Sequence, residues 1–338
     1  MGVTQSEGVV TASRSTTGPV GGSSWRRRWA LGVVAAVGLG LILAPLAFQM
    51  FQRGPEGATM LAEFRPFMST ARLGGFQAEI ASVNAAVREA GTSALPYLEA
   101  HGYSPSRLAT QFPYFQQLSA QWPSIDSTMT GLLDKVQANL GNYQGVAALP
   151  SFTLFPWFFL MPGVLLLGLA LLGLLRPAFA ERVRWAVIVI GVGLILAPVA
   201  FQMFQRAPGG GRMMSAFKTI ETSGNVERIQ GYFSTMAVGQ GDMRLGIVPA
   251  LQRTGLSQAQ IVQQFPAVSA LNQGWVHLLN DMTPMIGAMS DNIPNYQAVA
   301  SLPPFPLFPW FFVLPGLLVV GAASSLGRKR TTEGGLPE

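Results

Sequence analysis

Apolar residues along this chain follow two regimes. In four stretches they run on every side, uncharged, for about twenty residues: 29–52 (WALGVVAAVGLGLILAPLAFQMFQ), 154–175 (LFPWFFLMPGVLLLGLALLGLL), 185–205 (WAVIVIGVGLILAPVAFQMFQ) and 307–327 (LFPWFFVLPGLLVVGAASSLG). A helix rises 1.5 Å per residue, so about 20 residues cross the hydrocarbon of a bilayer, and each stretch is predicted to be a transmembrane helix. In the segments between, 53–153 and 206–306, apolar residues recur at helical spacing, as in IDSTMTGLLDKVQANL (125–140), and strand-like alternation is scarce.

Local signals divide these segments further. NAAVREAG predicts a helix closing at Gly91, Ser104 with Pro105 an N-cap and first helical position, and Ser257 with Gln260 a capping box. Leu98, Leu118, Trp122 and Met129, with Leu251, Leu271, Trp275 and Met282, are predicted core positions. Each segment is expected to form its own bundle of about four helices, the last leading through NYQ (142–144 and 295–297) into the next span.

The chain repeats itself. LILAPLAFQMFQR at 41–53 returns as LILAPVAFQMFQR at 194–206, and NYQGVAALPSFTLFPWFF at 142–159 as NYQAVASLPPFPLFPWFF at 295–312, both at an offset of 153 residues. Residues 65–95 match 218–248 poorly. The fold class expected is an all-α integral membrane protein: a tandem duplication of span, helical external domain and span. Each unit carries an even number of spans, so the copies insert in the same direction and form parallel repeats with pseudo-twofold symmetry about the membrane normal.

Charge orients this arrangement. The net charge is +6, and its excess sits beside spans: Arg26, Arg27 and Arg28; Arg176, Arg182 and Arg184; Arg328, Lys329 and Arg330. These clusters share one side, cytoplasmic by the positive-inside rule. The expected order is a disordered cytoplasmic tail (1–28), a first span serving as uncleaved signal anchor (29–52), external domain 1 (53–153), a second span (154–175), a cytoplasmic loop (176–184), a third span (185–205), external domain 2 (206–306), a fourth span (307–327) and a cytoplasmic tail (328–338). The Ala, Gly, Val and Arg bias points to a GC-rich bacterial genome, and hence to the plasma (inner) membrane. With the basic residues assigned to span ends, no basic and aromatic patch is left for nucleic acid. Cysteine is absent, which excludes disulfides and thiolate metal sites.

Candidate chemistry is sparse. Trp157 and Phe158, with Trp310 and Phe311, fall where spans meet the outer surface and suit an aromatic belt; the alternative is a groove for a hydrophobic ligand between the halves. Pro45 and Pro198 remove a helical donor, and Pro162 and Pro315 allow a bend deeper in the second and fourth spans, so all four are candidate kinks. Gln49 and Gln202, expected on one helical face with the following Gln and Arg, are candidates for interhelical hydrogen bonds, and Arg53 and Arg206 for snorkelling to the interface. Gly38, Gly40, Gly191 and Gly193 are expected to bring spans close together.

Glu63, Glu79, Glu89 and Glu99 are expected on a solvated face, and His101 and His277 stand alone. No catalytic constellation, cofactor motif or metal-ligand spacing is found, so no cofactor and no enzyme activity are expected. The function expected is a membrane-anchored binding or scaffold protein, in contact with membrane lipid and with a protein partner in the envelope. The alternative is a carrier of lipid or apolar small molecules in the cleft between repeats.

Overall fold

The structure, a computed structural model, describes residues 22–326. Residues 1–21 of the expected tail, and 327–338 with Arg328, Lys329 and Arg330, lie outside them. Among the described residues every regular element is helical. In chain order these are α1 (Gly22–Ala47), α2 (Met50–Phe64), α3 (Thr70–Glu89), α4 (Leu95–Ala100), α5 (Pro105–Gln111), α6 (Pro113–Ala147), α7 (Phe155–Leu175), α8 (Ala180–Ala200), α9 (Met203–Phe217), α10 (Ser223–Asp242), α11 (Val248–Arg253), α12 (Gln258–Gln264), α13 (Pro266–Asp291), α14 (Ile293–Ala300) and α15 (Trp310–Ser325).

Four helical stretches are long and apolar enough to cross a membrane: Trp25–Ala47, Phe155–Leu175, Pro177–Ala200 and Phe305–Ser325. Two begin earlier than their apolar runs suggest. α1 takes in Arg26 to Arg28, and α8 takes in Arg182 and Arg184, because a helix continues through polar residues once its apolar turns have nucleated it. All four candidate prolines lie inside helices that run on past them.

The chain divides into two compact units. Among the described residues the first comprises 22–42, Met161–Ile195 and 314–326. In it, glycines set the helix contacts. A Cβ on Gly38 would lie 2.9 Å from the carbonyl oxygen of Gly163, and one on Gly163 would lie 2.8 Å from that of Gly38. Gly191 and Gly316 repeat this between α8 and α15, at 3.1 and 2.7 Å. Backbones this close need a residue without a side chain on both helices. Gly40 and Gly193, expected to share the role, face open space.

The second unit, Leu43–Leu160 with Leu196–Val313, corrects the expectation of two separate domains. Its long helices carry apolar residues at alternating steps of three and four: Leu73, Phe76, Ile80, Val83 and Val87 on α3; Phe115, Leu118, Trp122, Ile125, Met129 and Leu132 on α6; Val268, Leu271, Trp275, Leu278, Met282 and Met285 on α13. That spacing lays a narrow stripe along one helix face and suits side-by-side packing. All eight predicted core residues are buried.

The stripes meet across the two segments. α3 packs on α6 of its own segment and on α13 of the other, and α10 packs on α13 and on α6 in the same way. The shorter helices cross over too, α2 lying against α14 and α9 against α6. One continuous core therefore draws on both segments. Two bundles with separate cores would each hide only their own stripe, whereas exchange lets each long helix cover two neighbours.

Hydrogen bonds follow the same exchange. Glu89, at the end of α3, accepts from the Val268 N–H at the start of α13 (2.8 Å). Asp242, at the end of α10, accepts from the Tyr114 and Phe115 N–H groups at the start of α6 (2.8 and 3.0 Å). The first turn of a helix has free N–H donors and the positive end of the helix dipole, so a carboxylate there stabilises it. Glu89, expected on a solvated face, is a helix cap supplied from the other segment.

Two further expectations change. α3 does not close at Gly91 but runs through a π-helical turn (Ala90–Ala94) into α4, and Met243–Ile247 does the same after α10. α6 passes through NYQ but stops at Ala147, leaving 148–154 non-helical before α7. The two caps hold as expected: Ser104 accepts from Arg107 N–H, and Ser257 with Gln260 forms a complete capping box.

Candidate functional site

Phenylalanines repeated at 153-residue spacing pack on one another, two pairs edge-on and one tilted. Phe159 and Phe312 lie 4.6 Å apart between ring centroids, Phe155 and Phe308 5.6 Å, and Phe152 and Phe305 6.0 Å, and all six are buried. Rings of the two segments thus lie against each other along this column. Phe158 and Phe311 flank it against Phe201 and Phe48. Trp157 and Trp310 point outward, about half exposed, each edge-on to a neighbouring phenylalanine, Phe51 or Phe204. A half-exposed indole beside packed rings suits a belt position.

Gln49 and Gln202 do not lie on a helical face. Each has left-handed backbone (φ 53° and 54°), and each joins one helix to the next, α1 to α2 and α8 to α9. Both are exposed and make no side-chain capping bond, so the expected interhelical amide contact is replaced by a backbone turn. The proline four residues earlier lacks the N–H that would have held the preceding turn, which weakens the helix end just before the left-handed residue. The arginines that follow take on the bonding. Arg53 Nη1 donates to the carbonyls of Phe48 (3.1 Å) and Ser301 (3.2 Å), and Arg206 Nη1 to that of Ala148 (2.8 Å). Ser301 and Ala148 are themselves 153 residues apart, so the two arginines exchange equivalent bonds between segments.

Where the segments differ, the chemistry changes while the frame stays. At the α3·α13 junction Arg72 bridges to Asp281 (3.0 Å), with Glu79 and His277 beside them. At the α10·α6 junction the residues 153 positions away are Asn225, Thr128, Tyr232 and Ser124, and Ser124 and Tyr232 share a hydrogen bond of 3.1 Å. Burial, then a hydrogen bond to Asp281 and its charge, raises the Glu79 carboxyl to about 7, with Arg72 pulling the other way. Asp281 is held below the usual range, chiefly by the hydrogen bond from Arg72. Glu79, His277 and Asp281 bring three ligand atoms within 4.8 Å of one another. The Arg72 guanidinium already supplies the positive charge there, and a divalent cation would have to displace it. The group is accordingly an ion-pair junction between the segments. His101 packs on Tyr97 at 4.1 Å between ring centroids, and its Nδ1 lies 2.8 Å from the Tyr97 carbonyl oxygen.

The second unit also holds an apolar chamber of about 60 Å³ that is partly open at one side. Its walls come in pairs 153 residues apart, among them Met60 and Met213, Phe64 and Phe217, and Tyr143 and Tyr296. One pair differs in kind, Met68 against Glu221. Glu221 is 5% exposed, and its Oε2 has no hydrogen-bond partner among the described residues. Burial raises its carboxyl to about 7. The sequence marked neither the chamber nor this residue: KTIETSG looks like a polar loop, and the only available signal was the Met68–Glu221 mismatch in an otherwise apolar alignment.

No protein-family model matches this chain, and a search of curated proteins finds no relative.

Proposed function

We propose that this chain is a non-enzymatic, membrane-anchored binding or scaffold protein. In this reading it is a tandem duplication with parallel pseudo-twofold symmetry, inserted in the plasma (inner) membrane of a bacterium with both termini cytoplasmic. The observation that carries the proposal is the exchange of contacts within the second unit. Arg53 and Arg206, and Glu89 and Asp242, tie each segment to the other at equivalent points, so the unit behaves as one platform. Its two junctions differ in charge, which gives a partner one distinguishable face.

Co-purification from native membranes in mild detergent tests the partner reading. A stoichiometric envelope protein is expected, and recovery of the chain alone at high yield opposes it. Reporters test the topology: a fusion after Gly145 is expected outside the cytoplasm and one after Ala178 inside, and the reverse would overturn it.

A second reading, binding of a small apolar molecule, is favoured by the chamber beside Glu221. It differs from the groove expected between aromatic repeats, because those rings pack against each other.

A further inference from the structure

The chamber contains its own control. Position 68 lines the same space as position 221 and is filled by Met, so the frame accepts an apolar residue there. Glu221 nevertheless places a carboxyl in an apolar wall, with one oxygen unpartnered and nearly all of its surface hidden. A buried, unsatisfied carboxyl destabilises a fold unless it is neutralised or given a donor. A costly group where its counterpart is cheap is the pattern of a functional site.

The remaining polar atoms of the chamber define what can satisfy it. Tyr143 donates its hydroxyl proton to the Leu61 carbonyl (2.6 Å), and Tyr296 donates to that of Met214 (2.6 Å). Both phenol protons are committed to the backbone, so the tyrosine oxygens turn only acceptor lone pairs to a guest. Glu221 adds another acceptor when ionised. Apart from Glu221, the titrating groups of the lining are these two tyrosines, both held above their ordinary range by burial and therefore neutral near pH 7; the Glu221 charge raises Tyr296 further. A guest must then bring donors, preferably several, with a positive charge to balance the carboxylate. Its body must be apolar and short, since 60 Å³ leaves room for a chain of a few methylenes among methionine and phenylalanine side chains. Methionine walls suit such a guest because they adapt to its shape.

We propose that the chamber binds a primary alkyl amine as its ammonium ion, the head on Glu221 and the chain among Met60, Met213 and Phe64. This deepens the second reading above, and it can fail while the partner-binding platform stands. The ammonium offers three donors to the carboxylate and the tyrosine oxygens, and the pair carries no net charge in the apolar interior.

The test uses the full chain in nanodiscs, with n-butylamine as probe and 1-butanol as its neutral match, followed by calorimetry at pH 7. Saturable 1:1 binding of the amine is expected, weakened about tenfold or more in Glu221→Gln and Glu221→Met, with 1-butanol at least about tenfold weaker than the amine. Glu221→Met reproduces the residue at position 68 and is expected to fold; Glu221→Gln, close in shape, serves if it does not. Equal binding of amine and alcohol, equal binding by wild type and both variants, or no saturable binding because the chamber holds only water, would each overturn the proposal. Retained partner co-purification alongside any of these would separate this failure from failure of the platform.

Discussion

The junction of α3 with α13 and that of α10 with α6 share a backbone plan and part ways in chemistry. One holds Arg72, Glu79, His277 and Asp281, the other Asn225, Tyr232, Ser124 and Thr128. Residues that build the frame do not differ in this manner. Carboxylates cap the long helices at both Glu89 and Asp242, arginines cross at both Arg53 and Arg206, and Gly57 and Gly210 admit Val299 and Val146 where a Cβ would come within 3.0 and 3.2 Å of them. Contacts that interlock the segments are thus duplicated, and groups that give each face its character are not. A position where the pair disagrees is the place to look for function.

The largest effect is expected where the halves agree in packing but differ in one bond. Trp122→Ala and Trp275→Ala should each cost about 3–5 kcal/mol, since both indoles are buried on the central stripes. Trp122 also donates to Asn84 (2.8 Å), whereas the residue 153 positions beyond Asn84 is Ala237. Trp122→Phe should therefore cost about 1 kcal/mol more than Trp275→Phe in denaturant unfolding. Equal costs would remove this distinction.

Next comes the Met68–Glu221 pair. Glu221 keeps its proton to about pH 7 in the fold but releases it near 4.5 when unfolded. Between those values the native state holds more protons, so this group's contribution is full below about 4.5 and is lost as pH rises through 7. Glu221→Met should stabilise the protein by on the order of 2–3 kcal/mol at pH 8, with much less gain at pH 5. Thermal unfolding of both proteins at the two pH values measures the difference. A gain independent of pH would show that the carboxylate is not the cause.

A smaller change is expected at the junctions. Arg72→Gln should lower the melting temperature more in low salt than in high, because the pair with Asp281 is partly solvated and screened. Asn225→Gln should show no such salt dependence. The smallest effect is at the left-handed residues: Gln49→Gly and Gln202→Gly should each gain about 0.5 kcal/mol by relieving positive φ, less the extra freedom of glycine in the unfolded chain. A loss on either substitution would mean that the amide has a partner after all.

What could be seen in the sequence was what short-range chemistry controls. Apolar length marked the four candidate spans, Ser257 with Gln260 marked a cap, and the repeated Trp122 and Trp275 marked the core. Partner choice left no local trace, since a stripe of Leu, Trp and Met at heptad-like steps would suit α3 against its own segment or the other. The left-handed turn at Gln49 leaves little trace because glutamine has no left-handed preference, and the only hint is a proline four residues earlier. Glu89 and Asp242 were legible in principle, as two acids at the repeat offset ahead of proline-led helices, but a carboxylate on a polar helix end looks solvated until its donor is in place. Glu221 needed three-dimensional closure, because only the chamber distinguishes a buried carboxyl from a loop residue.

Interlocking of the two segments is tested most directly by hydrogen exchange on Trp122→Ala in nanodiscs. If they form one unit, exchange should accelerate in α10 and α13 about as much as in α3 and α6, because the cavity opens a core that all four helices share. Acceleration confined to residues 53–153, with α10 and α13 protected as in the wild type, would mean two independent domains and would contradict the exchange.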